Sequence, residues 1–207
     1  MIDRVVGGIL FSSKQTGYLD GQLLVAMPGI RDTNFARTVV YVCAHSEAGA
    51  VGLVLNSPAP RVDLSGLLNR LDVATSQSND LQYSPIRDIR ICHGGPLETQ
   101  RGFVLHSSDC RIEDATLQID ENVSLTATVE ILKVLADGKG PERAILALGY
   151  AGWGPGQLEN EIKANGWLSG PADLDIVFNR NVGDIYERVI RKFGIDLSML
   201  SSDVGHA

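Results

Sequence analysis

The sequence predicts one α+β domain, built on antiparallel strands that are apolar on both faces and therefore covered on both. Three observations carry this. Residues 37–44 are rich in β-branched side chains, with Val39, Tyr41 and Cys43 on one alternating face and Val40, Val42 and Ala44 on the other. A second such run, over residues 50–55, follows after only Ser46-Glu47-Ala48-Gly49. Two-faced burial usually marks a parallel sheet, but so short a link closes a hairpin and forbids a parallel crossover. Finally, strand-like and helix-like segments interleave irregularly, which favours α+β over α/β.

The elements follow in order. Residues 1–17 are expected to form a weakly ordered extension, because Ser12-Ser13-Lys14-Gln15-Thr16-Gly17 has a linker composition. The domain proper spans 18–207. Residues 22–27 form a short apolar strand stopped by Pro28-Gly29. A helix is expected over 64–71 with Asp63 as its cap, then a polar loop over 75–85. Strands over 89–93 and 102–106 flank Gly94-Gly95-Pro96, and 116–119 alternates as an outer strand. Residues 127–136 read as a helix with Leu132 and Leu135 inward and Gly138 at its C-terminal end. A central strand covers 144–150, and a helix over 157–164 opens from Gly152-Trp153-Gly154-Pro155-Gly156. Leu174 to Phe178 alternates as a strand, and 183–193 is an amphipathic helix with Ile185, Val189 and Ile190 inward.

The bulk properties narrow the function. The chain has 207 residues and a net charge of −7, a size suited to one large domain. An acidic surface repels nucleic-acid backbones and anionic lipid. The densest basic cluster, Arg188, Arg191 and Lys192, falls in the last turn of a helix, where cations complement the macrodipole. The three cysteines include no C-x-x-C pair, which points to reduced thiols in a cytoplasm. The apolar stretch at residues 5–11 is short, glycine-broken and preceded by Asp3 and Arg4, so it does not read as a signal peptide. No apolar run approaches the ~20 residues that span a bilayer.

Three constellations are candidates for a site. Gly152 to Gly156 follows a strand and opens a helix, where backbone N–H groups can cradle an anion. Its G-x-G-x-G spacing, the N–H missing at Pro155 and the bulk of Trp153 equally fit a rigid corner. Cys92-His93-Gly94-Gly95-Pro96 sets a thiol beside an imidazole. Neighbouring residues on a strand face opposite ways, so they form no dyad. His93 shares a face with Ile89 and Ile91 and is expected to point inward, while Gly94-Gly95 offers a possible backbone nest. Asp32, Asn34 and Asn56 lie beside strand ends, either as a polar recognition cluster or as separate Asx turns. Cys43 and His45 also share an alternating face, with nothing evident to orient the imidazole. Glu159 and Glu161 lie two apart on a helix, so they point different ways and make no acid/base pair. His106-Ser107-Ser108-Asp109 places Ser beside His, but a triad needs convergence from separate elements.

Several phrases together resemble the YqgE/AlgH family. These are Gly21-Gln-Leu-Leu-Val-Ala-Met-Pro-Gly29, Arg37-Thr-Val-Val-Tyr-Val-Cys-Ala-His45, Gly49-Ala-Val-Gly-Leu-Val-Leu-Asn56, His93-Gly-Gly-Pro96 and Gly149-Tyr-Ala-Gly-Trp-Gly-Pro-Gly-Gln-Leu-Glu159. The resemblance runs from Tyr18 to Ala207. It implies a bacterial cytosolic protein with a bifurcated sheet curled toward a pseudo-barrel, and it supplies no catalytic mechanism. One member's name links the family to transcriptional regulation of alginate synthesis. A DNA-binding role does not carry over to a chain of net charge −7 with no basic helix-turn-helix.

The resulting expectation is a non-enzymatic regulatory or interaction protein without a cofactor, acting through another protein and, if on transcription, indirectly. Its surface would centre on Trp153, Gln157 and the Gly94-Gly95 turn. The alternative is a binder of a small anion or nucleotide, extending to an unrecognised hydrolase, using Gly94, Gly95 and Gly154 with Asp32, Asn56 or His93 as guides. Direct DNA binding ranks third.

Overall fold

In the computed structural model, which describes residues 4–6, 9–11, 17–59, 68 and 89–195, the chain runs as follows. The first strands are β1 (Arg4–Val6), β2 (Ile9–Phe11), β3 (Gln22–Ala26), β4 (Val39–Ser46), β5 (Gly49–Val54), β6 (Arg90–His93), β7 (Leu97–Ser107), β8 (Thr116–Gln118) and β9 (Val123–Thr126). Then come α1 (Val129–Ala136), β10 (Ala144–Trp153), α2 (Gln157–Lys163), β11 (Trp167–Pro171), α3 (Leu174–Val177) and α4 (Ile185–Lys192). Strands β1 and β2 pair with each other. The other nine form one sheet in the order β11-β3-β4-β5-β10-β7-β9-β8, with β6 on β10. This curled sheet makes a half-barrel, and the fold is α+β.

The hairpin that fixes the topology is present. Ser46 pairs with Gly49 across a turn of Glu47 and Ala48, so β4 and β5 are antiparallel. Among the described residues all strand pairings are antiparallel except β6 with β10.

Both faces are covered, as the two-faced apolar pattern requires. The inner face gathers Val39, Tyr41, Leu53, Phe103, Leu105, Ile145 and Ala147 from both halves of the sheet, packed with Ile176 and Val177 of α3 and Ile185, Val189 and Ile190 of α4. The outer face of the β3–β5 half holds Leu24, Val40, Val42, Trp153 and Trp167 under Leu158 of α2. The outer face of the β7–β10 half holds Val104 and Leu146 under Ile131, Leu132 and Leu135 of α1.

Strand β10 belongs to both halves. Its residues 144–148 pair with β6 and β7, and 151–153 pair with β5. Between them the register shifts at Gly149, whose φ is +73°. A Cβ there would lie 2.6 Å from the Leu97 carbonyl oxygen, so both the left-handed conformation and the close approach call for glycine.

Residues 174–177 are a helix, not a strand, because the Asp173 side chain accepts the Asp175 N–H at 2.9 Å and caps one helical turn. The β-branched alternation there lost to that local cap. Arg90 secures the helix from β6 by donating to the carbonyls of Val177 and Asn179. Strand β11 was hidden because Gly170 and Pro171 argue against a strand; as an edge strand it tolerates both. Strand β9 was hidden by Ser124 and Thr126, which are buried and hydrogen-bonded here. The helix expected over 64–71 and the loop over 75–85 lie outside the described residues, Leu68 excepted, as does most of the N-terminal extension.

His106 of β7 is fully buried. Its Nδ1 donates to the Ser107 carbonyl at 2.9 Å, so its Nε2 accepts from the Thr126 hydroxyl at 2.9 Å. Thr126 in turn accepts from Thr116 at 2.8 Å, and Thr116 accepts the Ile112 N–H at 2.8 Å. The polarity of the whole chain is thereby determined. Burial pushes the His106 pKa down. The folded imidazole therefore refuses a proton that the unfolded one takes up, and stability declines as pH falls below about 6.5. Urea midpoints at pH 7 and pH 5.5 check this. His106→Leu costs about 1–3 kcal/mol at pH 7 through the unpaired Thr126 and Ser107 groups, and the variant shows a smaller further loss on acidification than the natural chain.

Candidate functional site

Two register shifts bring the site together on the outer face beneath α2. In β4 the shift between Val42 and Ala44 puts Cys43 and Ala44 on the inner face, and His45 on the outer one. In β10 the shift at Gly149 does the same for Trp153: Ile145 and Ala147 are inner, Ala151 and Trp153 outer. Cys43 and His45 therefore do not share a face, because strict alternation fails at a bulge.

Helix α2 meets both residues with one carboxylate each. Glu161 Oε2 accepts the indole N–H of Trp153 at 2.9 Å and that of Trp167 at 2.7 Å, while Oε1 accepts from Gln157 Nε2 at 2.8 Å. The two indoles meet edge to face at 5.7 Å, and Phe35 packs on both, stacked at 6.3 Å on Trp153 and edge-on at 5.7 Å to Trp167. Glu159 points elsewhere and accepts from His45 Nε2 at 2.9 Å. His45 Nδ1 accepts the Leu19 N–H at 3.2 Å, and the Tyr18 ring lies edge-on at 5.0 Å. The imidazole is thus buried and oriented at both nitrogens. Sequence reading missed this because the orienting carboxylate lies 114 residues away. Glu159, diverging from Glu161 on one helix, was the available signal.

The other candidates are used locally. Asp32 Oδ1 accepts both the backbone N–H and the side-chain amide of Asn34 at 2.9 Å, an Asx turn that delivers Phe35 to the indoles. Asn56 accepts the Val39 N–H at 2.8 Å and donates to the Arg37 carbonyl at 2.9 Å, which secures the entry to β4. Asn56 shares no hydrogen bond with the Asp32–Asn34 pair. The Gly154 N–H donates to Gln157 Oε1 at 3.0 Å, so that end of the Gly152–Gly156 corner is satisfied from within.

The Gly94-Gly95 turn packs against β10 at residues 148–151, whereas the Gly152–Gly156 corner is the continuation of β10 itself. The Gly94 N–H donates to the Leu148 carbonyl at 2.7 Å, and its carbonyl accepts the Val54 N–H at 2.8 Å. A Cβ on Gly94 would lie 2.2 Å from the Gly149 oxygen. This glycine serves close backbone packing in the seam between β5, β6 and β10. His93 is exposed, not inward as its Ile89–Ile91 face suggested, because β6 ends there and α1 covers only the preceding isoleucines. Cys92 is buried and its thiol is pushed up to about 11 by desolvation, so it is protonated and inert at neutral pH.

Two clefts lie nearby. One, of about 110 Å³, is lined by His45, Ser46, Gly49 and Trp153 among others. The other, of about 480 Å³, is open and acidic, lined by Asp20, Asp120 and Glu121 with Gln22, Asn122 and Pro171. Neither is lined by Lys or Arg. Among the described residues no group of three or more His, Cys, Asp or Glu could hold a metal ion.

Comparison with known proteins gives consistent matches. A family model described as AlgH-like matches residues 23–198. A UPF0301 protein of Afipia carboxidovorans is 57% identical over 196 residues, covering 95% of this chain and 93% of that one. One from Methylocella silvestris is 55% identical over 190 residues, covering 92% of each. The solution structure of the AlgH protein from Pseudomonas aeruginosa superposes with a TM-score of 0.73 at 38% identity, covering 95% of this chain and all of that one. A crystal structure from Corynebacterium diphtheriae, at 22% identity and a TM-score of 0.68, shares the fold.

Glu161→Leu removes the acceptor of three donors and is expected to lower stability by roughly 2–4 kcal/mol, with tryptophan emission shifted to the red. Glu161→Gln, which keeps an acceptor oxygen for the indoles, loses less. Urea unfolding followed by fluorescence checks both. In thiol labelling, the native protein reacts at the half-buried Cys110, and Cys43 and Cys92 react only in denaturant.

Proposed function

Because this chain belongs to the AlgH-like family, we propose that it is a non-enzymatic regulatory or interaction protein of the bacterial cytoplasm, acting through contacts with another protein. The observation that carries this reading is where the candidate groups are spent. The N–H groups of Gly94 and Gly154, the carboxylate of Asp32 and the amide of Asn56 are all engaged within the chain. What faces solvent is the β6–β7 corner. His93, Pro96 and residues 97–100 are exposed, and Leu97, at 43%, is the exposed large hydrophobic side chain among the described residues. Trp153 is buried, so the contact surface centres on this corner and not on the indole. Three free thiols suit a reducing compartment, and among the described residues no helix is long and apolar enough to cross a membrane. An effect on transcription would be indirect, since a net charge of −7 opposes DNA.

The alternative, an anion or nucleotide binder, separates cleanly. A thermal-shift panel of nucleotides and phosphorylated metabolites is expected to produce no change beyond that given by sulfate. A saturable rise of several degrees with one compound and not with sulfate favours the binder. For the interaction reading, size-exclusion of a native extract is expected to place the protein in a species larger than its purified form. Leu97→Asp, with an unchanged melting temperature, shifts it back; a variant that stays in the larger species removes this corner from the contact.

A further inference from the structure

We propose that His45 is a proton-operated latch, holding Tyr18 and Leu19 against the sheet when neutral and releasing them when protonated. The chemistry of its partners dictates this. A backbone N–H can only donate, so the Nδ1 facing Leu19 must be unprotonated. A carboxylate accepts, so the Nε2 facing Glu159 carries the hydrogen. No proton can be added at Nδ1 without setting two N–H groups against each other at a distance of 3.2 Å. Imidazole is the side chain whose charge changes between pH 5 and 8.

The groups around the ring make the two states distinct. From the segment around Leu19 come the Tyr18 ring and Asp20, whose Oδ1 accepts the His45 backbone N–H at 3.0 Å. From α2 comes Glu159, half-exposed beside the nearly buried imidazole. Strand β5 contributes Gly49 and Ala50, and β10 contributes Trp153, none of them titratable. Glu161 is occupied by the indoles. Two carboxylates thus stand beside the ring, while the Leu19 N–H occupies the nitrogen that an added proton would need. Protonation keeps the bond to α2 and breaks the imidazole's bond to Leu19, while Asp20 on the His45 backbone N–H and the Gly21 N–H on the Val42 carbonyl hold the end of the segment in place. The Leu19 side chain packs on the outer-face cluster beside Ile30 and Phe35, so its departure uncovers apolar surface.

Amide exchange read by NMR, corrected for intrinsic rates, tests this from pH 8 to pH 5. Protection at Leu19 is expected to hold at the alkaline end and to fall by up to tenfold per pH unit below the ordinary imidazole value of about 6.5, while Leu24 and Val40 in the sheet keep theirs. In His45→Gln the amide oxygen accepts from Leu19 and the amide nitrogen donates to Glu159, so protection at Leu19 becomes independent of pH. Imidazole ¹⁵N shifts of the natural protein give the same readout without substitution, since protonation of Nδ1 and loss of Leu19 protection must share one midpoint. The proposal is overturned by constant protection at Leu19, by a fall shared with Leu24 and Val40, by an equal fall in His45→Gln, or by separate midpoints.

Discussion

One strand serves two half-sheets, and the rest of the architecture depends on how it does so. Strand β10 pairs with β6 and β7 through its first half and with β5 through its second. A regular strand would keep residues 145, 147, 149, 151 and 153 on one face. The left-handed backbone at Gly149 breaks that alternation, so Trp153 leaves the inner core and enters the outer one. With a side chain at 149 the strand would collide with the carbonyls of Leu97 and Gly95, and the two halves would lose their common member.

The bulge in β4 complements it. Both irregularities turn a side chain toward α2, and this helix of seven residues supplies a separate carboxylate to each. The Glu161 arrangement is of the rigid kind: a charged acceptor holds two indoles and an amide at hydrogen-bonding distance, and their rings pack on Phe35. The Glu159 arrangement is different in character, since it ends on an ionisable ring whose other nitrogen holds a backbone segment. A fixed anchor and a titratable one thus sit two residues apart on the same helix.

The most specific-looking motifs owe their residue types to packing. Gly94 lies where backbone passes backbone, and Asp32 and Asn34 close a turn whose purpose is to present Phe35. Asn56 acts as a piece of strand, pairing with Arg37 and Val39 where the main chain alone would leave them open. Motifs of this sort carry fold information, and among the described residues the β6–β7 corner, with Leu97, stays exposed beside them.

By itself the sequence determined the family, the α+β class and the antiparallel hairpin of β4 and β5, because apolar alternation and a short link are local facts. It also determined that Glu159 and Glu161 diverge, since helix geometry alone separates them. Only the tertiary structure decided which face His45, His93 and Trp153 occupy. Those depend on bulges and on where a covering helix stops, and a bulge shifts every later side chain by one position without leaving a mark in the hydrophobic pattern. The same holds for residues 174–177, where one hydrogen bond accepted by the Asp173 carboxylate outweighed a strand-like alternation, and for β11, whose glycine and proline are tolerable only because nothing else pairs with that edge among the described residues.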